Sequence, residues 1–404
     1  MNNGTEINIS FQVENEYNEM TSAFGIEENY TIDVIKGFKP KMTGNQNLFI
    51  TGESGSGKSL LLKRFGECVS HDNVPTETLI QWPEIFDISE KYFCQLLSGV
   101  GLCDAKLFTR DVSTFSDSQR YRSLLLFSLI KYDTIILDEF LSTLDRESAK
   151  PIAFAFQKIC RKLGKRFVVA SAHSDITEYL KPDVVWTGEA YTGLWKEEIR
   201  ENEEKYPDEI VLEERDVKDV RKHWLLDLHY IPNLPGGMTD SSVIMLERKE
   251  IGIILLGSDF YARKPYYIRR MVIHPSYRGC GFSKILINNY INKFEELRVL
   301  SKIIGFNDLF NSYGNVNYYN SYTPPVIKNY FKDVNFNWNN KNECDRVCMD
   351  YEIRKFLHDN FKKSWARVGF KNTNLPEDIL TKRAIASSIL FNIRPRKTPS
   401  VRFN

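Results

Sequence analysis

Eight consecutive residues, Gly52-Glu53-Ser54-Gly55-Ser56-Gly57-Lys58-Ser59, carry the clearest chemistry in this chain. An apolar β-type run at 47–51 precedes them and an apolar helical stretch at 60–65 follows. The spacing is GxxxxGK[ST], in the strand–loop–helix setting that the motif needs. Gly52, Gly55 and Gly57 let backbone N–H groups curl towards a phosphate chain, and the helix N-terminus adds a favourable field. The Lys58 ammonium can then reach the outer phosphates, and the Ser59 hydroxyl can ligate Mg²⁺. Further on, an apolar run at 133–137 ends in Asp138-Glu139. A carboxylate at the end of a buried strand can hold Mg²⁺ through water, and the next one, Glu139, can polarise an attacking water. A third β run, 167–170, leads to His173, placed either to contact a γ-phosphate or as an ordinary structural histidine. Together these residues point to a site that binds and cleaves a nucleoside triphosphate.

A second glycine turn lies far along the chain. The strand 267–273, containing Met271, Val272 and Ile273, runs into Arg278-Gly279-Cys280-Gly281-Phe282-Ser283, with a helix expected over 284–294. A strand, a glycine-bearing turn and a helix N-terminus can cradle a pyrophosphate. This turn lacks the Lys-Ser pair that a metal-bound triphosphate requires, and a plain β–α turn fits it as well. Around it stand residues able to take a proton from an amine: Tyr230 in the pair His229-Tyr230, and Asp308 at the end of 304–308. Tyrosine and asparagine are abundant throughout, so these also suit ordinary structural roles.

The elements that must position these groups fall into three blocks. Short β-type runs at 7–13, 47–51, 134–137 and 167–170 alternate with helical stretches over residues 1–190, the pattern of an α/β domain. Residues 191–222 turn strongly charged and read as a linker or a solvated helix. Residues 223–404 regain aromatic and β-branched residues, implying a second, α+β domain with a basic tail. A chain of 404 residues suits two such cores. With 54 Lys and Arg against 53 Asp and Glu there is no global basic field, so a nucleic-acid partner would need a local patch. Seven scattered cysteines fit free thiols in a reducing cytosol. The longest apolar runs, such as 124–130, are too short for a bilayer, so a cytoplasmic protein without a membrane anchor is expected.

The order of pieces in the first block resembles the ABC-type ATPases. Residues 52–59 match its Walker A motif. Gln81, after Thr78-Leu79-Ile80, is similar to the Q-loop glutamine, and Phe115-Ser116-Asp117-Ser118-Gln119-Arg120 to the signature. Residues 135–139 match Walker B, 142–145 the D-loop, and His173 the switch histidine. The resemblance implies ATP and Mg²⁺ as ligands, with Ser59, Gln81 and Asp138 at the metal and Glu139 and His173 in catalysis. It also implies an ATP-dependent, head-to-tail homodimer in which Ser116 and Asp145 approach the partner's nucleotide. The signature lacks both glycines, Asp117 and Ser118 standing there, and Phe140 replaces the proline usual in transporters.

Residues 268–283 resemble motif A of the GNAT acetyltransferases. Arg278, Gly279, Gly281 and Ser283 would hold the pyrophosphate of acetyl-CoA or another acyl-CoA, and the strand through Met271, Val272 and Ile273 would meet its pantetheine arm. Ser283 departs from the Gly or Ala of that family. The whole chain is similar to ATPase–acetyltransferase fusions of prokaryotes and phages, and its last part to the Mom-like phage DNA-modification enzymes, which places Tyr230 and Asp308 in catalysis. The implied function is modification of a base in DNA, or less favourably RNA, with the ATPase as a clamp. Two alternatives stay open: acetylation of a protein or small amine, and a nucleotide-switched sensor carrying a degenerate acyltransferase fold.

Overall fold

The computed structural model of the chain describes residues 5–14, 19–25, 29–104, 107–229, 237–258, 266–291, 293–294, 296–299, 316–320, 329–330, 333 and 397–402. Contacts divide it into two units: Met1–Leu234 with Asp240–Ile254 and Met271–Ile287, and Pro235–Thr239 with Leu255–Arg270 and Asn288–Asn404.

The first unit opens with a hairpin of β1 (Ile7–Glu14) and β2 (Asn29–Phe38), the short helix α1 (Glu19–Ala23) lying between them in sequence. Strand β3 (Leu48–Gly52) leads into the motif loop and then α2 (Lys58–Leu62), which tightens into a 3-10 turn at Lys63–Phe65. Next come α3 (Trp82–Ile85), α4 (Glu90–Val100), α5 (Asp117–Lys131), β4 (Thr134–Leu137), α6 (Arg146–Lys162), β5 (Arg166–Ser171), α7 (Thr177–Leu180), β6 (Val184–Gly188) and β7 (Trp195–Ile199). The sheet order is β4-β5-β3-β6-β7, parallel except for β7. Parallel strands are covered on both faces, hence the unbroken apolar runs. Leu48, Phe49, Ile50, Phe167, Val168, Val169 and Trp186 are fully buried.

Local chemistry sets the helix ends. Ser89 caps α4 by accepting from the Tyr92 N–H, and Gly101 at φ 71° ends it. Ser116 and Gln119 form a reciprocal capping box at the start of α5. Asp145 caps α6, its carboxylate accepting from the Ser148 N–H at 2.8 Å.

The charged stretch 191–222, expected as a linker or a solvated helix, holds strands instead. It contains β7, hydrogen-bonded along β6, and β8 (Ile210–Glu214), paired antiparallel with β9 (Met238–Leu246) over residues 242–246. The short helix α8 (Val217–Val220) follows β8. In β7 one end is anchored by the nearly buried Trp195 while the following residues are mostly exposed and charged. An edge strand with a wet face reads as a charged segment, and charge on an edge also discourages pairing with other chains. β10 (Lys249–Ser258) follows β9 through Glu247 and Arg248, at φ 46° and 70°, the double left-handed turn of a tight hairpin.

β11 (Tyr266–Ile273) then runs into the second glycine turn and α9 (Phe282–Ile291). In the second unit β12 (Glu296–Val299) pairs parallel with the start of β11, as a strand–helix–strand crossover demands. β14 (Lys397–Arg402) pairs antiparallel with both β12 and β13 (Val316–Asn320). Among the described residues no helix is long and apolar enough to cross a membrane.

Candidate functional site

Three neighbouring parallel strands deliver the predicted groups to one edge of the sheet. Register pairs Thr51 with Ser171 and Leu137 with Val169, so Gly52, Asp138 and His173 all lie at or just past the carboxyl ends of adjacent strands. That edge is where open α/β sheets bind ligands.

The loop after β3 is shaped for a phosphate. Gly52, Gly55 and Gly57 have φ of 138°, 82° and 95°, in the region that side chains other than glycine resist. A Cβ at Gly52 would lie 2.1 Å from the Gly188 carbonyl oxygen, and one at Gly57 2.5 Å from Val34 Cγ1; Gly55 faces open space. Lys58 is 8% exposed, and its Nζ donates to the carbonyl oxygens of Gly52 (2.9 Å) and Glu53 (2.7 Å). Burial pulls this ammonium below the usual lysine range, and the charges of Glu139 and Asp138 act the other way. The amine therefore sits in the loop with both carboxylates in electrostatic reach. The buried hydroxyls of Thr51 and Ser56 have no hydrogen-bond partner, and Ser59 is exposed at the second position of α2.

The turn after β4 is tightly specified. The Asp138 carboxylate accepts from the Glu139 N–H at 2.9 Å. The Phe140 ring is fully buried and its N–H donates to the Ala170 carbonyl at 2.7 Å. A proline at 140 could not make that bond, which gives Phe140 its own structural reason. Both the N–H and the hydroxyl of Ser142 donate to the Glu139 carbonyl. Leu141 donates its N–H to the Tyr121 hydroxyl oxygen at 3.0 Å. Asp145 stays below the usual carboxylate range: burial pushes it up, but the Ser148 N–H and hydroxyl and the Arg122 charge outweigh that. One residue on, Arg146 makes a two-pronged ion pair with Asp175, at 3.0 Å from Nε and 2.5 Å from an amino group. This ties the start of α6 to the segment after His173, whose own N–H donates to Ser171 Oγ at 3.2 Å. Tyr121 and the Arg146–Asp175 pair are constraints that sequence reasoning did not single out, since nothing in their spacing marks them.

The remaining first-block residues are positioned more loosely. Ser116 is exposed at the N-terminus of α5, beside Asp117 and Arg120, which form an exposed ion pair. Gln81 sits in a 3-10 turn, and its side-chain oxygen accepts from the Thr78 hydroxyl (2.7 Å) and N–H (3.2 Å). Among the described residues no cluster of three or more His, Cys, Asp or Glu could hold a metal. The donor set Ser59 and Asp138 suits Mg²⁺, which keeps waters and leans on substrate phosphates.

The second glycine turn is built differently. Arg278 donates from Nε to the Ile273 carbonyl at 3.0 Å and from an amino group to the Cys103 carbonyl at 2.5 Å. A Cβ at Gly279 would lie 2.4 Å from the Ser98 carbonyl oxygen and 3.0 Å from Ala155 Cβ; at Gly281 it would lie 3.1 Å from Lys158 Nζ. Buried Cys280 donates to the Pro151 carbonyl, and Ser276 faces Ser148 at 3.4 Å. The turn is thus docked on α4 and α6. Val272 and Ile273 are buried, while Met271 and Ser283 are partly exposed. Tyr230 and Asp308 lie outside the described residues.

No family model matches the chain, and no curated protein does. Among solved structures it is similar to the dimeric structure of a bacterial ABC transporter cassette, at 16% identity and TM-score 0.34 over 42% of this chain and 92% of that one. A post-hydrolysis ATP-binding cassette bound to ADP and Pi gives 16% and 0.35 over 48% and 97%. The cbiO1 protein of Clostridium perfringens, part of an ABC transporter complex, gives 17% and 0.30 over 39% and 78%. These likenesses are partial, and the chemistry of the site stands on its own residues.

Proposed function

We propose that the first part of this chain binds and hydrolyses ATP with Mg²⁺, in the manner of the ABC-type ATPases. The observation that carries this reading is the glycine loop holding the Lys58 amine within the field of Asp138 and Glu139. When bound, Mg²⁺ would neutralise charge on the β- and γ-phosphates, with Ser59 and Asp138 as its protein partners. Loop N–H groups and Lys58 hold the phosphates, and Glu139 orients the attacking water and takes its proton. His173, two residues past the end of β5, is the group we assign to the γ-phosphate. The exposed, capped N-terminus of α5 supports a head-to-tail dimer in which Ser116 meets the partner's nucleotide. Asp117 adds a carboxylate there and would slow closure on a γ-phosphate. Binding of a fluorescent ATP analogue, with sedimentation velocity in ATP and Mg²⁺, tests this. Saturable binding lost in Lys58→Ala, with ATP-dependent dimer formation, is expected; equal binding by Lys58→Ala would refute it.

The second part is assigned in two steps. Its glycine turn serves as a docking joint on α4 and α6, a reading supported by the Arg278 and Gly279 contacts. An acyl-CoA-dependent transfer, with a nucleic-acid base as acceptor, is a second reading. Its acyl-CoA part is favoured by the order β11–turn–α9–β12 with β11 and β12 parallel. Because the Arg278 guanidinium is engaged, N–H groups of the turn rather than that side chain would have to hold the pyrophosphate. Calorimetric titration with acetyl-CoA separates the two, since a pure docking joint gives no binding heat.

A further inference from the structure

The turn that presents Glu139 is strained. Glu139 and Leu141 have φ of 49° and 58°, two non-glycine residues in the left-handed region within three positions. Such a conformation is costly for a residue other than glycine and persists only where surrounding contacts over-determine it. Four contacts do so. Phe140 is buried with its ring centroid 5.4 Å from that of Phe156. Its N–H bonds β5, and Ser142 closes on the Glu139 carbonyl. The fourth is the Tyr121 hydroxyl on the Leu141 N–H. The first three come from β5, α6 and the turn itself; the last is contributed by α5.

We propose that Tyr121 is a positioning residue for ATP hydrolysis: its phenolic oxygen holds Leu141 in the left-handed conformation that aims Glu139 at the Lys58 loop, and couples that turn to α5. This rests on the ATPase reading above. Tyr121 is 4% exposed, fixed in the fifth position of α5, with its ring 6.1 Å from that of His71. Burial first, then the charges of Glu139 and Asp138, push its ionisation up and outweigh the Leu141 N–H, which acts the other way, so the phenol stays neutral. Without the oxygen, the buried Leu141 N–H is orphaned, and the turn gains by relaxing to negative φ and carrying Glu139 with it. Because Ser116 caps the same helix five residues before, an event at the exposed end of α5 reaches the carboxylate by a short, rigid route.

Two measurements on the full chain test this. Steady-state phosphate release is compared for the wild type and Tyr121→Phe, which keeps the ring and removes only the hydroxyl. The expected result is a kcat lowered about tenfold, the equivalent of one hydrogen bond, with KM and ATP affinity unchanged. Amide hydrogen exchange by mass spectrometry is read in parallel, and exchange at 139–142 should accelerate while that of β3 stays constant. Unchanged kcat in an active protein, or unchanged exchange at 139–142, overturns the proposal. So does a loss of activity carried by a raised KM with kcat unchanged, the mark of a merely structural tyrosine. A wild type that neither binds nor cleaves ATP would instead refute the ATPase reading itself, and this inference with it.

Discussion

Two turns in this molecule share one design, and their surroundings make them opposite things. Each joins a strand to a helix through two or more glycines at positive φ: 52–57 after β3, and 279–281 after β11. At the first, Gly55 faces open space and a buried ammonium lies inside the loop with two carboxylates in reach. At the second, the Arg278 guanidinium is bonded to the carbonyls of Ile273 and Cys103, the Lys158 ammonium donates to the Cys280 carbonyl at 3.4 Å, and a Cβ at Gly279 would meet Ser98 and Ala155. A phosphate cradle needs inward N–H groups and an open mouth; a docking joint needs neither. The glycine pattern alone does not distinguish them.

The largest expected effect separates the turns by activity. Lys58→Ala should lower ATP turnover by about 10²–10³-fold, the range for removing one preorganised donor, whereas Arg278→Ala should leave nucleotide affinity intact; phosphate-release assays on both decide it. Stability should show the reverse. Gly279→Ala puts a methyl against backbone at positive φ, and about 2–4 kcal/mol of destabilisation is expected from overpacking and strain together. Gly55→Ala meets no atom within 4 Å, so only the φ cost of about 1 kcal/mol remains. Chemical denaturation of the two variants would break the comparison if they proved equally stable. Arg278→Ala leaves two carbonyls without their donor and should cost about 1–3 kcal/mol. A variant that lost acetyl-CoA affinity but no stability would favour the cradle reading there.

Much of this was legible in the residues. The strand, glycine loop and helix at 47–65, and the apolar strand ending in Asp138-Glu139, are continuous local signals that tertiary context does not override. The β9–β10 hairpin carries the same kind of local signal, because apolar, β-branched runs flank a short polar turn. The strands in 191–222 were hidden, since β7 and β8 carry charge on mostly solvated faces and Trp195 is the one buried residue in the two strands. The Tyr121–Leu141 bond spans twenty positions and the Arg146–Asp175 pair twenty-nine, so neither leaves a local pattern. The engagement of Arg278 was invisible for the same reason: its partner carbonyl lies at Cys103.

Smaller effects sharpen the same contrast. His274, at the entrance to the second turn, is held below the ordinary histidine value of 6.5 by burial first, then by Lys249, Arg278 and Arg122. A histidine with a depressed folded value binds its proton more readily when unfolded, so stability is lost as pH falls below about 6.5. His274→Gln should flatten that part of the denaturation profile between about pH 7 and 5. Least of all, Asp175→Asn weakens a half-exposed ion pair and should cost about 0.5–1 kcal/mol, with a melting shift of a few degrees at most.

The central claim is that Glu139 performs hydrolysis at the Lys58 loop. The direct measurement is phosphate release by wild type and Glu139→Gln at saturating ATP and Mg²⁺, with ATP affinity determined on the same samples. The account predicts turnover in the wild type, a loss of about 10²–10⁴-fold in Glu139→Gln as expected for a general base, and undiminished ATP binding. Equal turnover in the two proteins, or none in the wild type, would contradict it.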